Sequence, residues 1–190
     1  CAAATATAAP TALSPSATIK LEQPVSEVHG GMFAHNLDDD ADMEFVATSE
    51  GHIGAYDLED GTLWVREVPI ALFPASHHPS AIAGDMDGDG AQEVAYGDTG
   101  RKLHILDGKT GKDEKTLNLP GRPVALLIAN LRGKGDRDIV LQYSQTELAA
   151  INAEDGSVLW RTNEARCIEH SPPRQADIDG DGRDEIAGAV

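Results

Sequence analysis

From about residue 30 onward, apolar residues fall into short runs divided by clusters of Gly, Asp, Asn, Ser and Pro, and no stretch keeps a 3.6-residue apolar period. That pattern argues against helix and predicts many short strands. "PSAIAGD" (79–85) leads through an acidic loop to "EVAYGD" (93–98), and a turn at Gly100-Arg101 leads to "KLHILD" (102–107). "GKTGK" (108–112) then leads to "EKTLNLP" (114–120). The next stretch repeats the order as "VALLIAN", "DIVLQYS", "ELAAINA" and "SVLWRTN", with Asp155-Gly156 between the last two. Asp-Gly between apolar runs is a strong short-range signal for a hairpin.

The same grammar recurs along the chain. Aligned on the acidic loop, copies start at Asn36, Asp85, Asn130 and Asp177, which are 49, 45 and 47 residues apart. Degenerate copies at even spacing mean one supersecondary unit used repeatedly. Four antiparallel strands per repeat of 40–50 residues describe a β-propeller blade. The expected fold is therefore all-β, with blades near 29–70, 78–120 and 123–165 and a fourth, incomplete, over 170–190. The chain then reads as the N-terminal part of a longer propeller. Residues 17–25, "ATIKLEQPV", resemble an outer strand and are expected to pair as one. Trp64 and Trp160 occupy equivalent outer-strand positions and are expected in the core.

The loops carry the chemistry. In "GDMDGDGAQEVAYG" (84–97) Asp85, Asp87 and Asp89 fall on every second residue, and "ADIDGDGRDEIAGAV" repeats this from Ala176. Numbered from the first acid, positions 1, 3 and 5 are side-chain oxygens, 7 offers a backbone carbonyl and 9 is a carboxylate. Glycine at 4 and 6 permits positive φ. Carboxylates so close are tolerated if a cation sits among them or water solvates each one. All-oxygen donors at this density suit calcium, whereas zinc would draw His or Cys. The helical calcium loop is excluded, because its position 12 needs Glu and here holds Ala47, Tyr96 or Gly188.

Composition supports a cation. Of the 32 acidic residues, 14 lie in the three acid-rich loops and their flanks, and the net charge is −17. Such a charge argues against nucleic acid as a partner. No apolar run approaches the ~18 residues of a membrane span. Two cysteines, Cys1 and Cys167, make no disulfide framework. Cys1 followed by the low-complexity tether 1–18, "CAAATATAAPTALSPSAT", is expected to carry lipid, which would be the chain's sole link to a bacterial membrane and place it at the cell surface.

The acidic loops resemble the FG-GAP/VCBS repeats of β-propellers, and "AINAEDGSVLWR" and "AYDLEDGTLWV" are similar to quinoprotein-type blade ends. The resemblance covers residues ~29–190. It implies calcium held by Asp85, Asp87, Asp89, the Ala91 carbonyl and Glu93, and by Asp177, Asp179, Asp181, the Arg183 carbonyl and Glu185. The first loop departs from the pattern at both glycines, yet Asn36, Asp38, Asp40, the Asp42 carbonyl and Glu44 still supply five oxygens, implying weaker binding. The third has Arg132 and Lys134 at positions 3 and 5, and is expected to be metal-free with both in internal ion pairs.

His29, His78 and His170 each fall seven residues before their loop, with Pro123 at that place in the third copy and Arg122 and Arg174 nearby. These residues, His78, His170 and Arg174 above all, suit either turn capping and packing or proton abstraction from a uronic acid with neutralisation of its carboxylate. The latter is the chemistry of the related rhamnogalacturonan and ulvan lyases. Two functions stay open: a calcium-stabilised extracellular module that binds or scaffolds glycans or another surface protein, or a polysaccharide lyase.

Overall fold

The structure, a computed structural model, describes residues 18–26, 29–38, 40–73, 77–135, 137–165 and 172–188. Strands β1 (Gly31–His35), β2 (Glu44–Ser49), β3 (His52–Asp57) and β4 (Gly61–Glu67) form the first sheet. Strands β5 (Ala81–Gly84), β6 (Glu93–Gly97), β7 (Lys102–Asp107) and β8 (Asp113–Asn118) form the second. Strands β9 (Ala125–Ala129), β10 (Asp138–Gln142), β11 (Leu148–Asn152) and β12 (Val158–Thr162) form the third, and β13 (Arg174–Ala176) pairs with β14 (Glu185–Ala187). Every pairing is antiparallel between chain neighbours, and each acidic loop joins the first and second strands of its sheet. The all-β, four-stranded expectation holds. No sheet closes into a barrel, and no ring closes among the described strands, so the propeller goes no further here than a succession of sheets.

The sheets stack in chain order because their middle strands are apolar on both faces. Strands β6, β10 and β11 are buried throughout, with Val94, Ala95, Ile139, Val140, Ala149 and Ala150 fully enclosed. Outer strand β8 is mostly exposed and alternates, as a half-covered strand must. One core layer joins Val46, Ile53 and Trp64 of the first sheet to Val94 and Leu106 of the second. Another joins Ala95, Leu103 and Ile105 to Leu126, Ile139 and Ile151 of the third. Gly84 abuts Ile128, where the first strands of neighbouring sheets approach.

Each full sheet bends at one place that the sequence pattern did not reveal. The pairing of third with fourth strand slips between Ala55 and Tyr56, between Ile105 and Leu106, and between Ala150 and Ile151. The extra residue of such a bulge strengthens local twist, and the turn that follows is capped by the acid or amide ending the third strand. Asp57 Oδ1 accepts from Glu59 and Asp60 N–H, Asp107 Oδ1 from Thr110 N–H, and Asn152 Oδ1 from Glu154 N–H.

Trp64 is core, as its position predicts. It is buried, its Nε1 donates to the Gly108 carbonyl at 2.7 Å, and its ring covers Gly111, which has φ 66°. Trp64→Phe leaves that carbonyl without its donor, so a loss of about 1–3 kcal/mol in a denaturant titration is expected. Trp160 packs half-buried beside Val140 and Ala150. The outer strand expected at 17–25 does not form among its described residues. Instead the backbone at Glu22 and Gln23 hydrogen-bonds the Tyr56 hydroxyl, and Ser26 N–H donates to Ser49 Oγ at 2.6 Å, so the segment is held by side chains of the first sheet rather than by a strand edge. No helix among the described residues is long and apolar enough to cross a membrane. Cys1, the tether as far as residue 17, Cys167 and His170 lie outside the described residues.

Candidate metal-binding loops and the opposite end

Position 9 is the rigid element of each loop, because it opens the second strand and is fixed by ladder pairing. Glu44 pairs with His35, Glu93 with Gly84, Asp138 with Ala129 and Glu185 with Ala176. The three glutamates accept the N–H of position 2: Leu37 at 2.5 Å, Met86 at 2.6 Å and Ile178 at 2.8 Å. Glu44 and Glu93 are buried beneath the loop. Burial above all, aided by the charges of Asp38, Asp40 and Asp57, raises the Glu44 carboxyl above the ordinary range. Burial likewise pushes Glu93 up to about 7, against the Met86 N–H and with help from Asp87, Glu114 and Asp85.

Three carboxylates converge in each acidic loop. Asp85, Asp87 and Glu93 each place an oxygen within 4.8 Å of the others, as do Asp177, Asp179 and Glu185, and Asp38, Asp40 and Glu44. The donors are all hard oxygens, and these clusters fit a divalent cation. The glycines at positions 4 and 6 have positive φ, 84° and 97° in the second loop and 80° and 86° in the fourth. The expected sets are gathered only in part. Asp89 and Asp181 stand outside the clusters, and their Oδ1 atoms accept Ala91 N–H at 2.8 Å and Arg183 N–H at 2.9 Å. Asn36 spends its Nδ2 on the Asp40 carbonyl, and the Ala91 carbonyl accepts from Gln92. Asp42 contributes its N–H to Asp40 Oδ1 at 2.7 Å.

The third loop keeps the backbone of its neighbours, with Gly133 and Gly135 at φ 69° and 84°, and supplies its own cation. Arg132 Nη2 lies 2.7 Å from Asp138 Oδ1 and donates to Asn152 Oδ1 at 3.0 Å. A guanidinium at position 3 thus holds the position-9 carboxylate. Arg132→Ala is expected to cost about 1–3 kcal/mol by leaving buried Asp138 unpaired, and that loss should not vary with calcium when followed by thermal melting. Lys134 does not join as expected. It is exposed and makes no ion pair among the described residues, because Arg132 already occupies Asp138.

His29 and His78 lie at the other end of the sheets, since each precedes a first strand whose far end carries the loop. His78 Nδ1 accepts the N–H of Ser80 at 3.1 Å. Ser80, at φ 52°, donates its hydroxyl to the Val124 carbonyl and accepts Phe73 N–H, tying three segments together. Burial first, then the charge of Arg174, lowers His78 to about 4. It is therefore a neutral turn-holding residue and a weak base. Arg174 Nη1 donates to the Pro172 and Pro173 carbonyls at 3.3 Å. His29 and Arg122 line a cavity of about 380 Å³ between the first two sheets, with Glu50 and Thr99.

No family model matches the chain. The rhamnogalacturonan endolyase YesW of Bacillus subtilis (strain 168) is 26% identical over 194 residues, covering 73% of this chain and 31% of that protein. Among solved structures, YesW superposes with a TM-score of 0.64 and the PL11 rhamnogalacturonan lyase of Bacillus licheniformis with 0.62. Each is 21% identical and covers 88% of this chain and 42% of that one. BBS1N, solved in complex with ARL6DN, superposes with 0.56 at 15% identity, covering 92% of this chain and 50% of its own. The chain spans about a third of the curated relative's length. These likenesses correct the FG-GAP/VCBS resemblance: the whole repeats align with rhamnogalacturonan lyases. The acidic loop that suggested otherwise is a short local pattern and says little of ancestry.

Proposed function

We propose that this chain is a section of an extracellular polysaccharide lyase acting on uronate-containing polymers of the rhamnogalacturonan type. The observation that carries this reading is the 26% identity to the endolyase YesW over 194 residues. The binding-or-scaffold reading has no comparable support. In this proposal the sheets are consecutive blades of a longer propeller. The position-2 side chain argues for continuation: Leu37 and Met86 are buried against the following sheet at 2% and 1% exposure, whereas Ile178 is 69% exposed. Calcium in the first, second and fourth loops is part of the same proposal and has a structural role, fixing the junction of first and second strands.

Lyase chemistry removes the proton α to the uronate carboxylate, expels the glycosidic oxygen and leaves an unsaturated sugar; a cation beside the carboxylate favours the carbanion-like transition state. Arg174 and Arg122 are two cations near the histidine positions, and neutral His78 suits positioning better than proton abstraction. Full-length protein incubated with rhamnogalacturonan in calcium is expected to develop the ultraviolet absorbance of unsaturated uronate, with neutral galactan unchanged. Tight polymer binding with no unsaturated product would instead return the chain to the binding-module class.

A further inference from the structure

We propose that the acidic-loop end carries a binding site for an anionic sugar unit, built around Lys134 and Arg137 of the third loop. A cavity of about 360 Å³ opens there between the ends of β1 and β5 and the third loop, lined by His35, Asp85, Gln92, Lys134 and Arg137. Its volume falls within the range of small-ligand sites, about 300–1,000 Å³. In a chain of net charge −17 a polyanion is repelled almost everywhere, so a cavity lined by two cations that make no ion pair among the described residues is a place to receive one.

Neither cation is needed by its own loop. Arg132 satisfies Asp138, and Lys134 takes position 5, where the other loops have Asp40, Asp89 and Asp181. Lys134 and Arg137 make no ion pair among the described residues. The Arg137 guanidinium lies over Gly88, in the space that any side chain there would fill. Gly88 therefore serves twice, by adopting φ 84° and by giving the arginine a seat that limits its motion. A seated guanidinium presents the planar fork that matches a carboxylate, and Lys134 adds a point charge.

The remaining lining groups suit hydroxyls. The His35 and Gln92 side chains meet at 2.8 Å between Nε2 and Oε1, and with Nε2 donating, His35 Nδ1 is left as an acceptor. Asp85 is a further acceptor on the wall. Cations for a carboxylate beside acceptors for hydroxyl protons describe a sugar acid better than a bare anion. The choice of uronate as that acid rests on the lyase reading; the basic cavity itself does not.

The test is calorimetric titration of trigalacturonate, and of neutral galactotriose, into full-length protein in millimolar calcium. Lys134→Ala and Arg137→Ala are each expected to weaken trigalacturonate binding about tenfold or more, the loss of one charge-assisted contact, with galactotriose unaffected. Because Arg137 touches the second loop, Arg137→Lys is the companion variant and should recover part of the affinity, while Lys134→Ala should leave the melting temperature unchanged. Undetectable trigalacturonate binding overturns the proposal, as does equal affinity for galactotriose or binding indifferent to both alanines. Lyase activity whose KM is unmoved by Lys134→Ala sinks this site and leaves the lyase reading standing. Charge-dependent binding in a protein that makes no unsaturated product keeps the site and sinks the lyase reading.

Discussion

Removing calcium from the metal-loaded protein is expected to lower its melting temperature by on the order of 10 °C or more. In each of the three acidic loops carboxylate oxygens lie within 4.8 Å of one another. At that distance and an effective dielectric of ~20, one ionised pair repels by about 3 kcal/mol. A bare loop can relieve this only by protonating or by splaying, and splaying pulls on strands that the ladder holds together. On the proposed reading calcium binds the folded loop and hardly the unfolded chain, and would stabilise by about 2.7 kcal/mol per site at a hundredfold excess over its Kd. Two or three sites then contribute on the order of 5–8 kcal/mol, comparable with the ~5–15 kcal/mol of a typical domain, and each kilocalorie moves the melting temperature of a chain this size by roughly 2–4 °C. The third loop adds nothing to this difference, because Arg132 is its cation in either buffer. Calorimetric melts in chelator and in millimolar calcium that coincide would reduce the loops to solvated turns.

The strands and their loops were legible because both obey local rules. Continuous apolar runs such as Val94–Tyr96 and Ile139–Leu141 have one stable use, as the covered middle of a sheet, and Asp-Gly turns mark hairpins such as that between β11 and β12. Three things were not legible. The bulges at Tyr56, Leu106 and Ile151 depend on how a third strand twists against a fourth, which no residue type announces at those positions. The clusters omit Asp89 and Asp181, whereas Asp40 at the same loop position joins the first cluster, a difference that spacing alone does not reveal. The basic cavity joins His35, Gln92 and Lys134 from three repeats, so only the stacking of sheets brings them together.

Glu93→Gln is expected to act in opposite directions without and with metal. In the metal-free protein the Glu93 carboxyl, 2% exposed, is pushed up to about 7, while the unfolded chain ionises near the ordinary value of 4.5. Between those two values the unfolded state sheds its proton first. This group's contribution is therefore fully present below about 4.5, is lost as pH rises to about 7, and stays lost above it. The loss is on the order of 3 kcal/mol at ~1.36 kcal/mol per unit. Glutamine has the same shape, never ionises, and its Oε1 can still accept the Met86 N–H that Glu93 Oε2 holds at 2.6 Å. At pH 8 in chelator the variant should thus melt above its parent, and its stability should be flat across the pH window where the parent declines. In calcium at a thousandfold excess over Kd the order reverses at this loop, because the amide replaces the one carboxylate that the ladder positions rigidly, and the gain of about 4.1 kcal/mol that the variant forgoes then exceeds the burial penalty it escapes. Paired melts of parent and variant in both buffers read the two signs together. A variant stabilised equally in chelator and in calcium would mean that Glu93 is a buried acid with no cation to meet.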